Sequence, residues 1–475
     1  MTGRACGHRD RVRSSILLAV VLAGSACDDG EPSAGECPGG ARQVVDGGEV
    51  ALTEASAPSL AGDHVVMLAG APATAFAVDA CTGEATALAG EGLSGAFALT
   101  SELGALALGH RQPSGEVLLL DRLDEPGVDE PRVIATLDPI DSGWFRWPDG
   151  LLLWSGPLMR DAPGTSRIFA YPGADGPTGA ATLVAEDVVW LARGGLDVFV
   201  ARTASGELLH VHAGAATRVH PHVRSAGMAP DGAQVVWQAA AGGWTLRTLA
   251  TGVDVQLGAI DAAKIRSAGP DAASWRWTDD AVAAIDADGV LVAAHDRETG
   301  ARLGLPPPHL AARDDVPGPL LFVTAQVTPE RVELAWDPRT GELTEWYRGP
   351  DVMLVPQRAD DAGVRYLADP GLLWLHRSEG GPALLQAEAS LDAIPLADGR
   401  TLMGLVNPDE TRRLVLLDRT GAHARELADG VSRWSLTADD PPRLAYAIAD
   451  EPDAGVWIVP ISPVSPASIS PTDLR

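Results

Sequence analysis

Between residues 223 and 259 the chain reads VRSAGMAP, AQVVWQAA, WTLRTLA and VDVQLGA, separated by Asp231-Gly232, Gly242-Gly243 and Thr251-Gly252. Four short runs rich in Val, Leu and Trp, split by three turn signals, predict a four-stranded antiparallel meander. No apolar pattern of helical period runs long enough for three helical turns. The module recurs along the chain. An acidic turn between its first and second runs stands at Asp63, Glu102, Asp149, Asp231, Asp279-Asp280, Asp314-Asp315, Asp360-Asp361, Asp398 and Asp439-Asp440, with Gly194-Gly195 in the one gap. The mean step is about 42 residues, within the range of propeller blades. A second marker, between the third and fourth runs, is Thr82-Gly83, Thr178-Gly179, Thr251-Gly252, Thr299-Gly300, Thr340-Gly341, Gly380-Gly381 and Thr420-Gly421. Two independent markers share one period.

These modules number ten between residues 41 and 461. That exceeds the usual four to eight blades. The expectation is therefore 8–10 blades, and three arrangements stay open: one large ring, two rings in succession, or some modules that are not blades. No linker inside 41–461 marks a boundary between two rings. The last module, RWSLTA, RLAYAIA, GVWIVPI, lacks a fourth run, and a spare RQVV lies within Arg42–Val50 before the first. Donating that strand to the last blade would remove two exposed sheet edges and close a ring.

The string GMAPDGAQVVW (227–237) resembles the Pro-Asp-Gly repeat of TolB-type and WD-like β-propellers, and RWPDGLLLW (146–154) and PLADGRTLMGL (395–405) are weaker copies. The resemblance extends over nearly all of 41–461 and implies an all-β propeller of four-stranded antiparallel blades. Ala229 stands where the repeat usually has Ser, and the α/β domain that precedes the TolB propeller has no counterpart. The likeness speaks to fold and not to activity.

Composition agrees with short strands and many turns, since Gly and Pro together reach 88 of 475 residues. The formal charge of −28 argues against nucleic acid or an anionic membrane surface as a partner, because both need a basic footprint. Residues 1–26 read as an export signal, with Arg4, Arg9, Arg11 and Arg13 ahead of an uncharged stretch, Ile16–Gly24, too short to span a bilayer. Ser25-Ala26-Cys27 after that stretch resembles a bacterial lipoprotein signal, which implies lipidation of Cys27. Gly24 occupies the place of the usual aliphatic residue, and plain cleavage after Gly24-Ser25-Ala26 is the other reading. Removing 1–26 leaves Cys27, Cys37 and Cys81, an odd count for an exported chain. Lipidation of Cys27 would leave Cys37 and Cys81 to form one disulfide. It would close a loop of about 44 residues, worth about 4 kcal/mol in the chain-entropy picture. It would also pin the closing strand to the first blade. Two free thiols are the alternative, less compatible with an oxidising compartment. Residues 27–40 form a polar tether, 41–461 the propeller and 462–475 a Ser/Pro-rich tail.

Candidate chemistry is sparse. A rim of turn carboxylates could attract Ca²⁺ or a cationic partner, or Asp could simply serve the turns by bonding the backbone two residues on. His210, His212, His220 and His222 lie in the third and fourth runs of one module. A two- or four-residue loop centred on Gly214-Ala215 would place the two pairs on opposite faces. A three-residue loop at 214–216 would gather all four, as a Zn²⁺ or Cu²⁺ site requires. There is no Gly-x-Ser-x-Gly and no phosphate-binding Gly-rich loop ending in Lys. The 13 Trp could suggest a quinone cofactor or a glycan platform. Trp147, Trp154, Trp237, Trp275, Trp336, Trp374 and Trp457, however, fall inside strand runs and read as packing between blades.

No catalytic residue, cofactor or metal is assigned from these patterns. The reading is an exported, lipid-anchored propeller, monomeric, serving as a binding scaffold in the bacterial cell envelope. Its partner would be another envelope protein, a peptide or a glycan, with the membrane touched only through the lipid. The alternative is a propeller enzyme, a metal-dependent hydrolase or lyase, with its site in the central channel.

Overall fold

The computed structural model describes residues 42–46 and most of 58–461, with interruptions at several turns and over 261–274. Every element among the described residues is a β-strand. Pairing is antiparallel throughout and almost always between consecutive strands, as a chain of hairpins requires.

The strands group into ten blades. The first comprises Ser59–Ala61, His64–Ala69, Thr74–Asp79 and Ala85–Leu88, and the fifth Val223–Met228, Gln234–Ala239, Trp244–Thr248 and Val253–Leu257. Two sheets have seven strands because a 13-residue strand is shared between two blades. Thr182–Gly194 pairs through its first part with Ser166–Tyr171 and through its last part with Val198–Thr203. Ala424–Leu436 does the same between Arg412–Leu417 and Arg443–Ile448. Each shared strand turns at a residue with positive φ, Asp187 (52°) in one and Gly430 (67°) in the other, which frees the chain to redirect its pairing. In the sixth blade the fourth strand is reduced to a bridge between His295 and Arg302.

The ring closes. Arg42–Asp46 pairs antiparallel with Gly455–Pro460, with Arg42 opposite Ile458 and Asp46 opposite Gly455, so the N-terminal RQVV supplies the strand missing from the tenth blade. Val65, Met67 and Val78 of blade one pack against Ala445, Val456 and Ile458 of blade ten. Comparable apolar clusters fill the other described interfaces, and around blade eight Leu343–Pro350 lies near Gly381–Gln386 and Leu354–Asp360 near Asp392–Pro395. Each blade therefore neighbours the next and the last neighbours the first, in one circuit.

Burial follows position within the blade. Middle strands are covered on both faces by neighbouring blades, so they are apolar without alternation: Leu151, Leu152 and Leu153 are all fully buried, as expected of strands packed on both sides. Fourth strands face outward, and Ala215–His220 is almost wholly exposed at its first four positions. Six of the seven tryptophans read as packing do lie between blades, with Trp457 against the cluster of blades nine and ten; the Trp374 side chain lies outside the described residues. Trp147 and Trp154 sit at the interface of blades three and four, Trp237 at four and five, Trp275 at five and six, and Trp336 at six and seven.

Candidate functional site in the axial channel

The first strands of successive blades converge on the ring axis. A recess of about 260 Å³ is lined by Ser59 of blade one, Phe97 of blade two, Trp144 and Arg146 of blade three, and Ser435 of blade ten, with His110 beside them. Four blades thus contribute to one concavity.

Arg146 is its chemical centre. It precedes Trp147 at the end of Ser142–Trp147, a strand whose earlier positions are half-buried. Its guanidinium sits 4.7 Å from the centroid of the Phe97 ring, and Nη1 donates to the Ser59 hydroxyl at 3.0 Å. That hydroxyl is fully committed. It donates to the Ala98 carbonyl at 3.3 Å and accepts from the Ala98 N–H at 3.1 Å and from Arg146, which uses its one hydrogen and both lone pairs. No carboxylate among the described residues pairs with Arg146. The side chain reaches channel solvent while protein surrounds it, and this desolvation lowers its guanidinium below the ordinary arginine value. Arg193, on the neighbouring first strand, places a second cation close by, its Nη2 donating to the Arg146 carbonyl at 3.0 Å.

The walls are aromatic. Trp144 stacks on Phe97 with centroids 5.3 Å apart, and His110 meets Trp144 edge-on at 5.4 Å. Burial lowers the His110 pKa from its ordinary value, which favours the neutral imidazole. Ser94 donates to the His110 carbonyl at 2.9 Å and lies 3.3 Å from Nδ1, which fixes the ring. Such a site can hold an anion on Arg146 and an apolar body against the rings.

The other candidates are arranged differently. The turn carboxylates at Asp63, Asp231 and Asp280 are each paired to an arginine of an adjacent blade: Arg443, Arg297 and Arg339, at 2.8, 2.8 and 2.7 Å. Asp231 also accepts from the Ala233 N–H two residues on, at 2.8 Å. Asp231 thus also caps its own turn, and all three acids tie blades together. Glu102, Asp149, Asp314, Asp315, Asp361, Asp398, Asp439 and Asp440 lie outside the described residues.

The histidine hairpin has neither of the expected loops. His212 pairs opposite Ala215 and His210 opposite Thr217, and an irregularity then sets His220 opposite Leu208. His210 and His212 stack on one another at 6.0 Å, whereas His220 packs on Trp237 of the next blade and His222 donates its backbone N–H to His220 Nδ1. Among the described residues no three His, Cys, Asp or Glu side chains come together to hold a metal. Cys81 sits in the turn after Thr74–Asp79, its N–H donating to Asp79 at 2.7 Å. Cys27 and Cys37 lie outside the described residues.

Sequence reading missed Arg146 as a site residue, although RWPDG opens with it. The usable signal was an arginine within a first strand, meaningful only once that strand is known to be innermost.

No family model matches the chain, and no curated protein matches it. Among solved structures it is similar to the tricorn protease, at 11% identity over 91% of this chain and 50% of that one, with a TM-score of 0.31. It is likewise similar to a prolyl endopeptidase, at 11% identity over 83% and 54%, TM-score 0.36. The C-terminal WD40 domain of Sif2 matches at 11% over 66% and 93%, TM-score 0.34. The chain thus spans about half the length of the two peptidases.

Proposed function

We propose that this propeller is a binding scaffold, exported and held in the bacterial cell envelope by a lipid on Cys27, with the axial recess as its principal ligand site. The observation that carries the binding role is the recess itself. Four blades of a closed ring present aromatic walls and a guanidinium that no carboxylate among the described residues pairs, which are groups for holding a ligand. The export reading rests on the arginine-rich start, the apolar stretch Ile16–Gly24 and the small residues before Cys27. Kinship to TolB-type proteins remains a likeness of repeat, carried by GMAPDGAQVVW.

A Cys37–Cys81 disulfide belongs to the same reading. The closing strand lies near Thr74–Asp79, the strand that leads into Cys81, which supports it. Peptide mass mapping without reduction is expected to yield the Cys37–Cys81 pair, and recovery of two alkylated cysteines would refute it.

The central experiment is affinity purification of the tagged full-length protein from its native envelope after mild crosslinking, with Cys27→Ser alongside. A stoichiometric partner lost in the variant, together with fatty-acid-analogue labelling of the wild type alone, is the expected result. A clean bait would count against the scaffold and shift weight to a channel enzyme. Undiminished labelling of Cys27→Ser would refute the anchor.

A further inference from the structure

The ten first strands carry six arginines, Arg146, Arg193, Arg224, Arg276, Arg358 and Arg433, against two acids, Asp360 and Asp392. The whole chain has the opposite balance, 36 basic residues to 64 acidic ones. Arg146, Arg224 and Arg433 are exposed, and none is paired to a carboxylate among the described residues. Arginines left without a counter-ion in a protein of charge −28 run against the prevailing field. They raise the potential where the blades converge, and a concave lining concentrates that effect.

We propose that the recess binds a carboxylate carried on an aromatic or branched apolar group, its oxygens on the Arg146 guanidinium and its apolar body beside Trp144. This deepens the scaffold reading and rests on it. A guanidinium offers two parallel N–H groups that match a carboxylate, and Ser59 takes up one nitrogen while leaving the rest of the fork available. At about 260 Å³ the recess lies below the ~300–1,000 Å³ of drug-sized sites. It therefore takes a small acid or the last residue of a polypeptide, and both present the same chemistry.

The test is isothermal titration calorimetry on the full-length protein in detergent, with four probes: 2-naphthoate, 2-naphthamide, acetyl-Gly-Phe and acetyl-Gly-Phe-amide. At least one acid is expected to bind saturably and at least ten-fold more tightly than its amide. Arg146→Gln is expected to weaken that acid at least ten-fold, and Arg146→Lys less. Arg218→Gln, on the outer strand of blade four, should match wild type. Binding of the peptide acid alone would identify a chain end as the source, and binding of naphthoate alone a free acid. Equal affinity for acid and amide, an unchanged Arg146→Gln, or no binding by any probe would overturn the proposal. The acid-over-amide contrast in wild type needs no variant, so it stands even if Arg146→Gln misfolds. Partner capture that survives in the absence of probe binding would refute the anion site while leaving the scaffold intact.

Discussion

Asp231 of blade five and Arg297 of blade six meet at 2.8 Å. The contact joins the first turn of one module to the third-to-fourth strand turn of the next. Arg297 is nearly buried, and its other nitrogens are also engaged: Nε donates to Gln234 at 2.6 Å and Nη1 to the Thr278 carbonyl at 2.7 Å. Its guanidinium further covers the Trp277 ring. One side chain thereby ties the polar edges of two blades whose faces are held together by apolar packing.

Arg297→Ala is expected to destabilise the protein by about 3 kcal/mol, because it strands the buried Gln234 and Thr278 acceptors as well as releasing Asp231. Denaturant titration against Arg339→Ala is the check. Arg339 makes the corresponding contact to Asp280 from an exposed position, where such pairs contribute about 0–1 kcal/mol. Equal losses in the two variants would contradict the argument.

Gly194 fills the one first turn without an acid, and the packing explains why. A Cβ there would lie 2.6 Å from the Ala229 carbonyl oxygen and 2.6 Å from the Gly232 Cα. The Pro-Asp-Gly turn of blade five leaves no space beside it. Gly194→Asp, which restores the acid seen at most other turns, should therefore cost about 2 kcal/mol or more. A melting temperature equal to wild type would refute the close approach.

Deleting residues 41–47 removes the partner of Gly455–Pro460 and leaves GVWIVP as an unpaired apolar edge. The expected outcome is a lower melting temperature with concentration-dependent association on size-exclusion chromatography, as exposed strand edges recruit one another. A monomer as stable as wild type would show that closure does not depend on this strand.

His295 is 1% exposed. Its Nδ1 contacts the Gly300 carbonyl at 3.1 Å, so Nδ1 carries the hydrogen, and Nε2 is buried without a hydrogen-bond partner. Burial, reinforced by Arg302 and opposed by the Gly300 contact, lowers its pKa from the ordinary 6.5. A histidine whose pKa is depressed on folding contributes stability that is complete above about pH 6.5 and declines as pH falls below it, where the unfolded chain takes up the proton first. The stability difference between wild type and His295→Gln should be larger at pH 7.5 than at pH 5.5. A difference that grows on acidification would reverse the assignment.

The repeat and its closure were legible because they are local. Turn residues such as Thr299-Gly300 and Asp231-Gly232, and apolar runs such as AQVVW, specify hairpins within a few residues, and a missing fourth run beside a spare RQVV specifies their closure. Ring size was counted but not decided by sequence, since ten modules could form one ring or two. The clusters joining blade ten to blade one decide it.

The site was not legible for the same reason in reverse. Arg146 in RWPDG takes its neighbours from blades one and two, Arg193 in LARGG reaches the Arg146 carbonyl of blade three, and only the ring makes those strands innermost. Ser59 reaches Arg146 across 87 positions, and no periodicity carries that information. The histidine pairs show the complementary failure: residue type and spacing allowed a cluster, whereas His210 and His212 stack on one another and His220 packs on Trp237 of the next blade. The sequence by itself determined the module and the strand that closes the ring, because hairpins are set by neighbours along the chain. The tertiary structure alone decided which turn acids became inter-blade ties, why Gly194 must lack a side chain, and that Arg146 faces an aromatic recess at the axis. Those relations exist only where separate blades meet.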